Sequence, residues 1–259
     1  MDQYQNFALS LSGGGLSCLA YVGFVDSLKK HQLKPACYAG LSGGALLAIL
    51  LASNLSTPEI INFFEHLKTL KIINTHFSKL EIIDHKKLTQ LIRLLLPYKT
   101  FEELPTPAYI FVSNLTKKEP LMITRGDIAS AIVASCSLFP LLQPVKRQGL
   151  LLGDGGFTVY YGAKFLHNLG IAKVIGIDVT GLTEGTVKGF LSALYKQINS
   201  SVTSNARYEL SEHPVDLDIK ITFPSPTLFT IRRKANHLIL LGERTAEHYI
   251  PEIKKIVYA

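Results

Sequence analysis

The sequence has few cysteines, no long apolar run and little charge at its N-terminus. Its three cysteines, Cys18, Cys37 and Cys136, are far apart and odd in number, which argues against a disulfide framework and favours a reducing compartment. No Cys/His spacing typical of zinc occurs, so we expect no metal site. The longest unbroken apolar run, Ala45–Ala52, is too short to cross a bilayer. Residues 1–6 lack the basic region of a secretory signal. We therefore expect a cytoplasmic protein without a transmembrane helix or signal peptide.

The composition is that of a folded chain. Of its 259 residues, 47% are apolar and only 18% are charged, which excludes extensive disorder. We find no repeat and no Pro/Gly/Ser-rich linker, so we expect one domain over residues 1–259. Lys and Arg outnumber Asp and Glu by 27 to 20, a net charge of +7 that suits either nucleic acid or an anionic membrane. Because no nucleic-acid-binding module is present and the basic residues are dispersed, we expect no nucleic-acid partner.

Strand and helix patterns alternate along the chain. Phe7–Ser12 is a predicted strand, followed by a glycine turn and a helix over Gly15–Lys30; a second strand beginning at Pro35 and an apolar helix over Gly43–Ala52 repeat this unit. Two amphipathic helices then form an insertion around residues 55–100. Ser56 and Glu59 have capping-box spacing at the start of the first helix, and Asp84 is the expected cap of the second. Further strands and helices, including predicted helices over 188–208 and from about 235 to 258, complete the pattern. We predict a three-layer α/β/α fold with a mostly parallel central sheet.

Gly40-Leu41-Ser42-Gly43-Gly44 is a G-x-S-x-G sequence between a predicted strand and a predicted helix. Such a turn holds the Ser42 hydroxyl at a helix N-terminus, where the dipole and free N–H groups favour developing negative charge. The geometry of this turn also makes the amide of Gly43 a candidate oxyanion donor. A glycine-rich turn with a capping serine is the alternative interpretation of the same residues.

Gly13-Gly14-Gly15 also follows a strand and opens a helix, which places bare backbone N–H groups where an oxyanion can bind. Dinucleotide binding is disfavoured because G-x-G-x-x-G requires glycine at the position of Cys18, and a P-loop is excluded for want of Gly-Lys-Ser/Thr. The alternative is that the three glycines merely allow a helix and a strand to pack closely.

A serine nucleophile needs a base within hydrogen-bond reach. The eight histidines mostly lie in polar, helical or loop segments without flanking glycines. Asp154 differs, because Gly153-Asp154-Gly155-Gly156 places an acid at the end of an apolar run, where ligands bind in open α/β folds. An ordinary Asp-Gly turn is the alternative.

In order and spacing, four segments together resemble the patatin-like phospholipase family. These segments are Leu9–Gly15, Gly40–Ala45, Ala134–Pro140 and Asp154–Phe157. The resemblance covers residues 7–180, with 181–259 completing the sheet and helices. It implies a lipid acyl hydrolase, of phospholipase A or lysophospholipase type, that works without a cofactor through a Ser-Asp dyad. Ser42 is then the nucleophile, Asp154 the general base, and Gly13, Gly14 and Gly15 the oxyanion hole.

The chain departs from the family pattern beside the glycine loop. The family usually continues with a variable residue, then Arg or Lys, then Gly, whereas this chain has Leu16-Ser17-Cys18. It also has Gly43 where the family commonly has Ala. Backbone donors survive side-chain replacement, so we expect altered selectivity rather than complete loss of activity.

The resemblance implies a lipid substrate, and an anionic lipid surface would attract a protein with a net charge of +7. Basic residues beside apolar ones, at 232–234 and in the helices over 57–96, suit peripheral docking on anionic lipid. A solvated basic face is the alternative. The sequence does not indicate an oligomeric state.

Two other functions remain open. One is a carboxylesterase or thioesterase of the Ser-His-Asp type, in which His213 or His237 would serve Ser42. The other is a catalytically weak lipid-binding regulatory protein that keeps the fold, which the departure at Leu16-Ser17-Cys18 leaves open.

Overall fold

A computed structural model describes residues 6–69, 83–139, 141–179, 204, 208–222 and 231–259. Its centre is an eight-stranded sheet in the order β5-β6-β3-β2-β1-β7-β8, with β4 paired to β3. The strands are β1 Phe7–Leu11, β2 Cys37–Leu41, β3 Ala108–Asn114, β4 Glu119–Ile123, β5 Val145–Arg147, β6 Leu150–Asp154, β7 Lys173–Asp178 and β8 Leu217–Lys220. The pairs β3–β2, β2–β1, β1–β7 and β7–β8 are parallel. The sheet is therefore mostly parallel, as the alternating pattern predicts.

The strand β6 runs antiparallel to β3, and this direction brings the carboxyl end of β6 to that of β2. Along β3, β4 pairs with Ile110–Asn114, β2 with Ala108–Phe111 and β6 with Val112–Asn114. A strand has only two edges, and β4 overlaps both of the others. Consequently β2 and β6 share the edge of β3 that lies opposite β4.

The carboxyl ends of β2 and β6 meet on that shared edge. Leu41, the last residue of β2, pairs with Phe111. Asp154, the last residue of β6, pairs with Val112, the next position along β3. The last residues of β2 and β6 therefore lie opposite consecutive positions of β3, about 3.3 Å apart along that strand. Ser42 follows directly after this point.

Helices cover both faces of the sheet. The α-helices are α1 Ala20–Lys30, α2 Gly43–Ala52, α3 Thr57–Thr69, α4 His85–Leu95, α5 Ile128–Ser135, α6 Ala163–Asn168 and the C-terminal helix Ile231–Val257. In β1, Phe7, Leu9 and Leu11 join the larger apolar cluster with α1, α2 and α5. The alternate residue Ala8 joins a smaller cluster on the other face, with α6 residues. This alternation is what a sheet buried on both faces requires.

The C-terminal helix packs closely against α1 because both helices have a glycine at the crossing. A β-carbon on Gly23 would lie 1.8 Å from the Ile239 carbonyl oxygen, and one on Gly242 would lie 1.8 Å from the Ala20 carbonyl oxygen. Neither site tolerates a side chain at that separation. Glu247 adds a polar link, since it accepts a 2.6 Å hydrogen bond from the Ser27 hydroxyl.

The predicted insertion is present as α3 and α4. Asp84 caps α4 as expected, accepting hydrogen bonds from the amides of Lys86 and Lys87. The glutamate of the predicted capping box, Glu59, accepts from the Ser56 amide at 2.7 Å. Both helices therefore begin where their capping residues predict.

Several boundaries differ from the sequence prediction. The helix predicted over Gly15–Lys30 begins as a 3₁₀ turn, Gly15–Leu19, before α1. The second strand begins at Cys37 rather than Pro35. The short elements β5 and α6 carry too few residues for periodicity to reveal them and were not predicted. The helix predicted over 188–208 lies almost entirely outside the described residues.

Candidate active site

Ser42 occupies a strained turn between β2 and α2. Its φ of 52° and ψ of −126° place a non-glycine residue at positive φ, which the surrounding structure must enforce. Gly40 and Gly44 make the turn possible. A β-carbon on Gly40 would lie 2.4 Å from the Gly44 carbonyl oxygen, and one on Gly44 would lie 2.4 Å from the Leu11 and Ser12 carbonyl oxygens. The G-x-S-x-G sequence thus forms the tight strand–turn–helix elbow that its context predicts.

Ser135, at the end of α5, holds this turn in place. Its hydroxyl accepts a 2.8 Å hydrogen bond from the Ser42 amide and donates a 2.6 Å bond to the Phe111 carbonyl oxygen. Ser135 is completely buried. The strained residue is therefore tied through one serine to the strand beside it. Sequence analysis assigned Ser135 no role, although it lies in the segment Ala134–Pro140 that carries part of the family resemblance.

Asp154 lies at the end of β6 and is 6% exposed. Its carboxylate accepts a 2.9 Å hydrogen bond from the Gly156 amide, and the Ser42 side chain lies close enough to lower the pKa of this carboxyl. Its own amide donates to the Ser137 carbonyl oxygen at 3.1 Å. The structure thus brings Ser42 and Asp154 together, as the meeting of β2 and β6 on one edge of β3 requires.

Burial is the main influence on the pKa of Asp154 and raises it. Desolvation raises the pKa of its carboxyl from 3.8 to about 6, against the lowering effect of the hydrogen bonds from Gly156 and Ser42. At neutral pH the group is still ionised, and it is more basic than an ordinary aspartate. A carboxylate in this state is able to accept a proton from a hydroxyl that it already contacts.

The glycine loop lies directly against the elbow. A β-carbon on Gly13 would lie 3.2 Å from the Ser42 β-carbon, and one on Gly43 would lie 2.9 Å from the Gly15 nitrogen. Among the described residues, the amides of Gly13, Gly14, Gly15 and Gly43 donate to no protein acceptor. All four expected oxyanion donors are therefore beside Ser42 with their N–H groups unused by the described chain.

Two cysteine thiols also lie at this centre. Cys136 is partly exposed, and its pKa is raised by burial and by the charge of Asp154, against a hydrogen bond with the Ser42 side chain. Cys18 is buried below the glycine loop, and burial raises the pKa of its thiol well above the usual value. Both thiols are held in the neutral form, which makes them poor nucleophiles beside Ser42.

None of the histidines in the described ranges hydrogen bonds to Ser42 or Asp154. His31 contacts Glu247 at 2.9 Å, the His66 ring contacts the Asn62 carbonyl oxygen, and the His167 ring contacts the Ile171 carbonyl oxygen. His237 is exposed on the C-terminal helix. In the described chain, the Ser42 side chain thus lies beside the Asp154 carboxylate and the Cys136 thiol, and its amide donates to Ser135.

Comparison with known proteins identifies the family. The family model described as "Patatin-like phospholipase" matches residues 9–166, which include the glycine loop, the elbow and Asp154. The chain belongs to the patatin-like phospholipase family. A further similarity is to the solved structure of VipD from Legionella pneumophila, with a TM-score of 0.52 and 14% identity, covering 95% of this chain and 66% of that one. This similarity shows the shared fold.

Curated proteins with sequence similarity include patatin-like and esterase proteins of several organisms. The chain is 24% identical over 187 residues to "Neuropathy target esterase sws" of Drosophila melanogaster, covering 67% of this chain and 13% of that protein. It is 22% identical over 231 residues to "Lysophospholipase NTE1" of Candida albicans, covering 84% of this chain and 16% of that protein. It is 29% identical over 205 residues to "Uncharacterized protein R571" of a mimivirus, covering 70% and 68% respectively. The chain thus spans only a small part of the two named enzymes.

The departure Leu16-Ser17-Cys18 lies in the 3₁₀ turn Gly15–Leu19. Leu16 and Ser17 are partly buried there, and Cys18 is completely buried. The turn begins at Gly15, whose φ is 57°. Ser17 stands where the family usually has a cation.

In the described part of the chain, no helix is both long and apolar enough to cross a membrane. Over the same residues, no group of three or more His, Cys, Asp or Glu side chains is arranged to hold a metal ion.

Proposed function

We propose that this protein hydrolyses the fatty acyl esters of phospholipids or lysophospholipids through Ser42 and Asp154. The observation that carries the proposal is the position of the Ser42 side chain beside the buried Asp154 carboxylate, where it lowers the pKa of that group, at an elbow with φ of 52°. Membership of the patatin-like phospholipase family supports a lipid ester as the substrate class.

The reaction follows from this arrangement. Asp154 accepts the hydroxyl proton of Ser42 as the serine oxygen attacks the ester carbonyl carbon. The negative charge that develops on the carbonyl oxygen is stabilised by the amides of Gly13–Gly15 and Gly43. The alcohol leaves with the proton held by Asp154, and an acyl-serine remains. Water then attacks the acyl-serine while Asp154 accepts its proton, and the carboxylic acid is released with Ser42 restored.

The electrostatics of Asp154 support its role as the base in this scheme. A solvent-exposed aspartate is a weak base at neutral pH, whereas burial brings the pKa of Asp154 to about 6. The Gly156 amide, at 2.9 Å from one carboxylate oxygen, fixes the orientation of the group. A Ser-His-Asp mechanism lacks this support, because His213 and His237 make no hydrogen bond with Ser42 or Asp154 among the described residues.

The change to Leu16-Ser17-Cys18 is compatible with retained activity. All the expected oxyanion donors are backbone amides, so loss of the family's cation leaves them in place. The missing charge is expected to alter which head groups are accepted. Release of fatty acid distinguishes the proposed enzyme from a regulatory protein, which would bind lipid without cleaving it.

We further propose that the outer face of α4 contacts anionic lipid. Lys86, Lys87, Arg93 and Leu94 are exposed on this helix, and Leu94 is 79% exposed. Arg93 binds both carboxylate oxygens of Asp127, at 3.0 and 3.1 Å, which leaves the two lysines as the charges best able to reach lipid phosphate. Each well-placed lysine is worth about 1 kcal/mol at an anionic surface.

Lipid-panel hydrolysis tests the proposed function directly. Purified protein is incubated with phosphatidylcholine, lysophosphatidylcholine and triacylglycerol, and released fatty acid is measured by mass spectrometry. We expect release from at least one phospholipid, with a loss of at least about 10³-fold in Ser42→Ala and 10² to 10⁴-fold in Asp154→Asn. Ser53→Ala, a buried serine at the end of α2 that donates to the Ile49 carbonyl oxygen, is the matched control. Lipid binding without Ser42-dependent release would contradict the proposal.

A further inference from the structure

Ser12 lies between the end of β1 and the glycine loop. It is 1% exposed, and its amide donates to the Ile177 carbonyl oxygen at 3.0 Å, which extends the pairing of β1 with β7 by one residue. The next residue, Gly13, begins the loop that supplies the proposed oxyanion donors. Hydrogen bonds that hold Ser12 in place therefore also hold the start of that loop.

The side chain of Ser12 joins β1 to β7. Its hydroxyl has two acceptors at 3.0 Å, a carboxylate oxygen of Asp178 and the Gly13 carbonyl oxygen, and it accepts a 3.2 Å hydrogen bond from the Val179 amide. Asp178 is the last residue of β7 and is 7% exposed. A hydrogen bond to a buried carboxylate is stronger than one between neutral groups, so this contact is well suited to fix a backbone position.

Tyr21, in α1, contacts the backbone carbonyl groups of Ser12 and Ile177. Its hydroxyl lies 2.9 Å from the Ser12 carbonyl oxygen and 3.1 Å from the Ile177 carbonyl oxygen. Burial raises the pKa of this phenol well above its usual value, so it remains a hydrogen-bond donor. Both the side chain and the backbone carbonyl of Ser12 are thereby held.

The loop beyond Ser12 is confined on two sides. A β-carbon on Gly14 would lie 2.8 Å from the Val179 side chain, and one on Gly13 would lie 3.2 Å from the Ser42 β-carbon. The loop therefore fills the space between the end of β7 and the elbow. A displacement of Ser12 by a few tenths of an ångström is transmitted to amides that must match a transition state to within about 0.5 Å.

We infer that Asp178 is a positioning residue for the oxyanion hole, which it orients through the hydroxyl of Ser12 and the backbone of Gly13. Asp178 contacts the hydroxyl of Ser12, and it takes no proton in the reaction. Its effect is on the rate of the step at which the oxyanion forms, and not on the affinity for the acyl ester. The inference rests on the proposed function of Ser42 and Gly13–Gly15.

Ser10 provides a matched control on the same strand. It is also 1% exposed, and its hydroxyl donates a 2.5 Å hydrogen bond to the Tyr161 carbonyl oxygen, away from the glycine loop. Ser10→Ala and Ser12→Ala therefore remove the same group from the same strand. Only Ser12→Ala removes a bond to the loop's anchoring carboxylate.

Steady-state hydrolysis of p-nitrophenyl butyrate tests the inference. We expect Ser12→Ala and Asp178→Ala to lower kcat about 10- to 100-fold, with KM within about twofold of the wild type. Asp178→Asn keeps an acceptor oxygen for the Ser12 hydroxyl, so it recovers most of the kcat lost in Asp178→Ala. Ser10→Ala leaves kcat unchanged. Thermal unfolding of all four variants shows whether each is folded at the assay temperature.

Amide hydrogen exchange provides a second measurement that does not depend on turnover. We expect faster exchange in the peptide spanning residues 12–19 in Ser12→Ala and Asp178→Ala, and not in Ser10→Ala. Unchanged exchange there, or unchanged kcat in folded Ser12→Ala, would overturn the inference. Failure of the proposed function gives a different result, because it appears as absent or Ser42-independent turnover in the wild type.

Discussion

The sulfur of Cys18 lies where a side chain on residue 43 would begin. A β-carbon on Gly43 would be 2.8 Å from the Cys18 sulfur and 2.9 Å from the Gly15 nitrogen, closer than real side chains approach. The family commonly has glycine at the position of Cys18 and alanine at the position of Gly43. The two departures from the family pattern are therefore spatially linked, since the cysteine occupies space that the missing methyl group vacates.

This contact predicts that substitutions at the two positions are coupled. Gly43→Ala alone is expected to cost about 1 to 3 kcal/mol of unfolding free energy, because the added methyl group overlaps the Cys18 sulfur and the Gly15 backbone. In Cys18→Ala the sulfur is absent, and Gly43→Ala should then cost at least about 1 kcal/mol less. Urea denaturation of the four proteins in this cycle measures the coupling. Additive costs would show that the sulfur does not restrict residue 43.

The raised pKa of Asp154 predicts the pH dependence of hydrolysis. The carboxylate must be ionised to accept the Ser42 proton, so kcat/KM should rise with pH and level off above about pH 6. A profile of kcat/KM from pH 4.5 to 8.5 on a soluble ester measures the midpoint. A midpoint near 7 that disappears on substitution of His213 or His237 would instead indicate a histidine base.

The same shift predicts how stability changes with pH. The folded pKa of about 6 exceeds the ordinary value of 3.8, so the folded state binds the proton more tightly than the unfolded state. The contribution of Asp154 is thus fully present below about pH 4 and is lost as pH rises through 6, by up to about 3 kcal/mol. Relative to the wild type, Asp154→Asn should gain stability over this range.

Asp127→Asn is a control of opposite sign for that measurement. Burial pushes the pKa of Asp127 upward, but the hydrogen bonds from Arg93 and Ser130 outweigh burial and lower it. Asp127 therefore stabilises the fold fully above its ordinary pKa of 3.8, and this contribution is lost as pH falls below that value. Asp127→Asn should thus lose stability relative to the wild type as pH rises to about 4, and should show no further change above that. Urea midpoints at pH 3, 4.5 and 7.5 compare the two variants. Parallel trends for both would contradict the assigned burial of Asp154.

The lysines on α4 predict a preference for anionic vesicles. At low salt, the protein should pellet more with phosphatidylcholine vesicles containing phosphatidylglycerol than with phosphatidylcholine alone, and Lys86→Gln/Lys87→Gln should reduce this difference. Lys254→Gln/Lys255→Gln, which removes two charges from the last turn of the C-terminal helix, is the matched control. Equal pelleting with both vesicle types would contradict the assignment of this face.

Local sequence patterns predicted the elements around the site but not how Asp154 reaches Ser42. Gly40 marks the elbow because a side chain there would meet the Gly44 carbonyl oxygen, a local requirement visible in the sequence. At Gly44 a side chain is excluded by the Leu11 and Ser12 carbonyl oxygens, which are distant in sequence. The run Leu150–Leu152 predicts a strand. An apolar run carries no information on direction, however, and the antiparallel course of β6 depends on its pairing with β3.

The role of Ser135 illustrates a second limit of the sequence. It lies at the end of α5, a segment that sequence periodicity identifies as a buried helix. Its two hydrogen bonds, to the Ser42 amide and the Phe111 carbonyl oxygen, join residues 93 and 24 positions away. A buried serine in an apolar helix signals that it has a hydrogen-bond partner, but the partner is set by the packing of α5 against the sheet.

The central claim is that Ser42 carries the acyl group and Asp154 accepts its proton. Rapid quenching of the protein with a p-nitrophenyl ester, followed by mass spectrometry of its peptides, tests this most directly. The account predicts one acyl group per protein on Ser42, formed at least about 10²-fold more slowly in Asp154→Asn and absent in Ser42→Ala. An acyl group on another residue, or turnover that persists in Ser42→Ala, would contradict it.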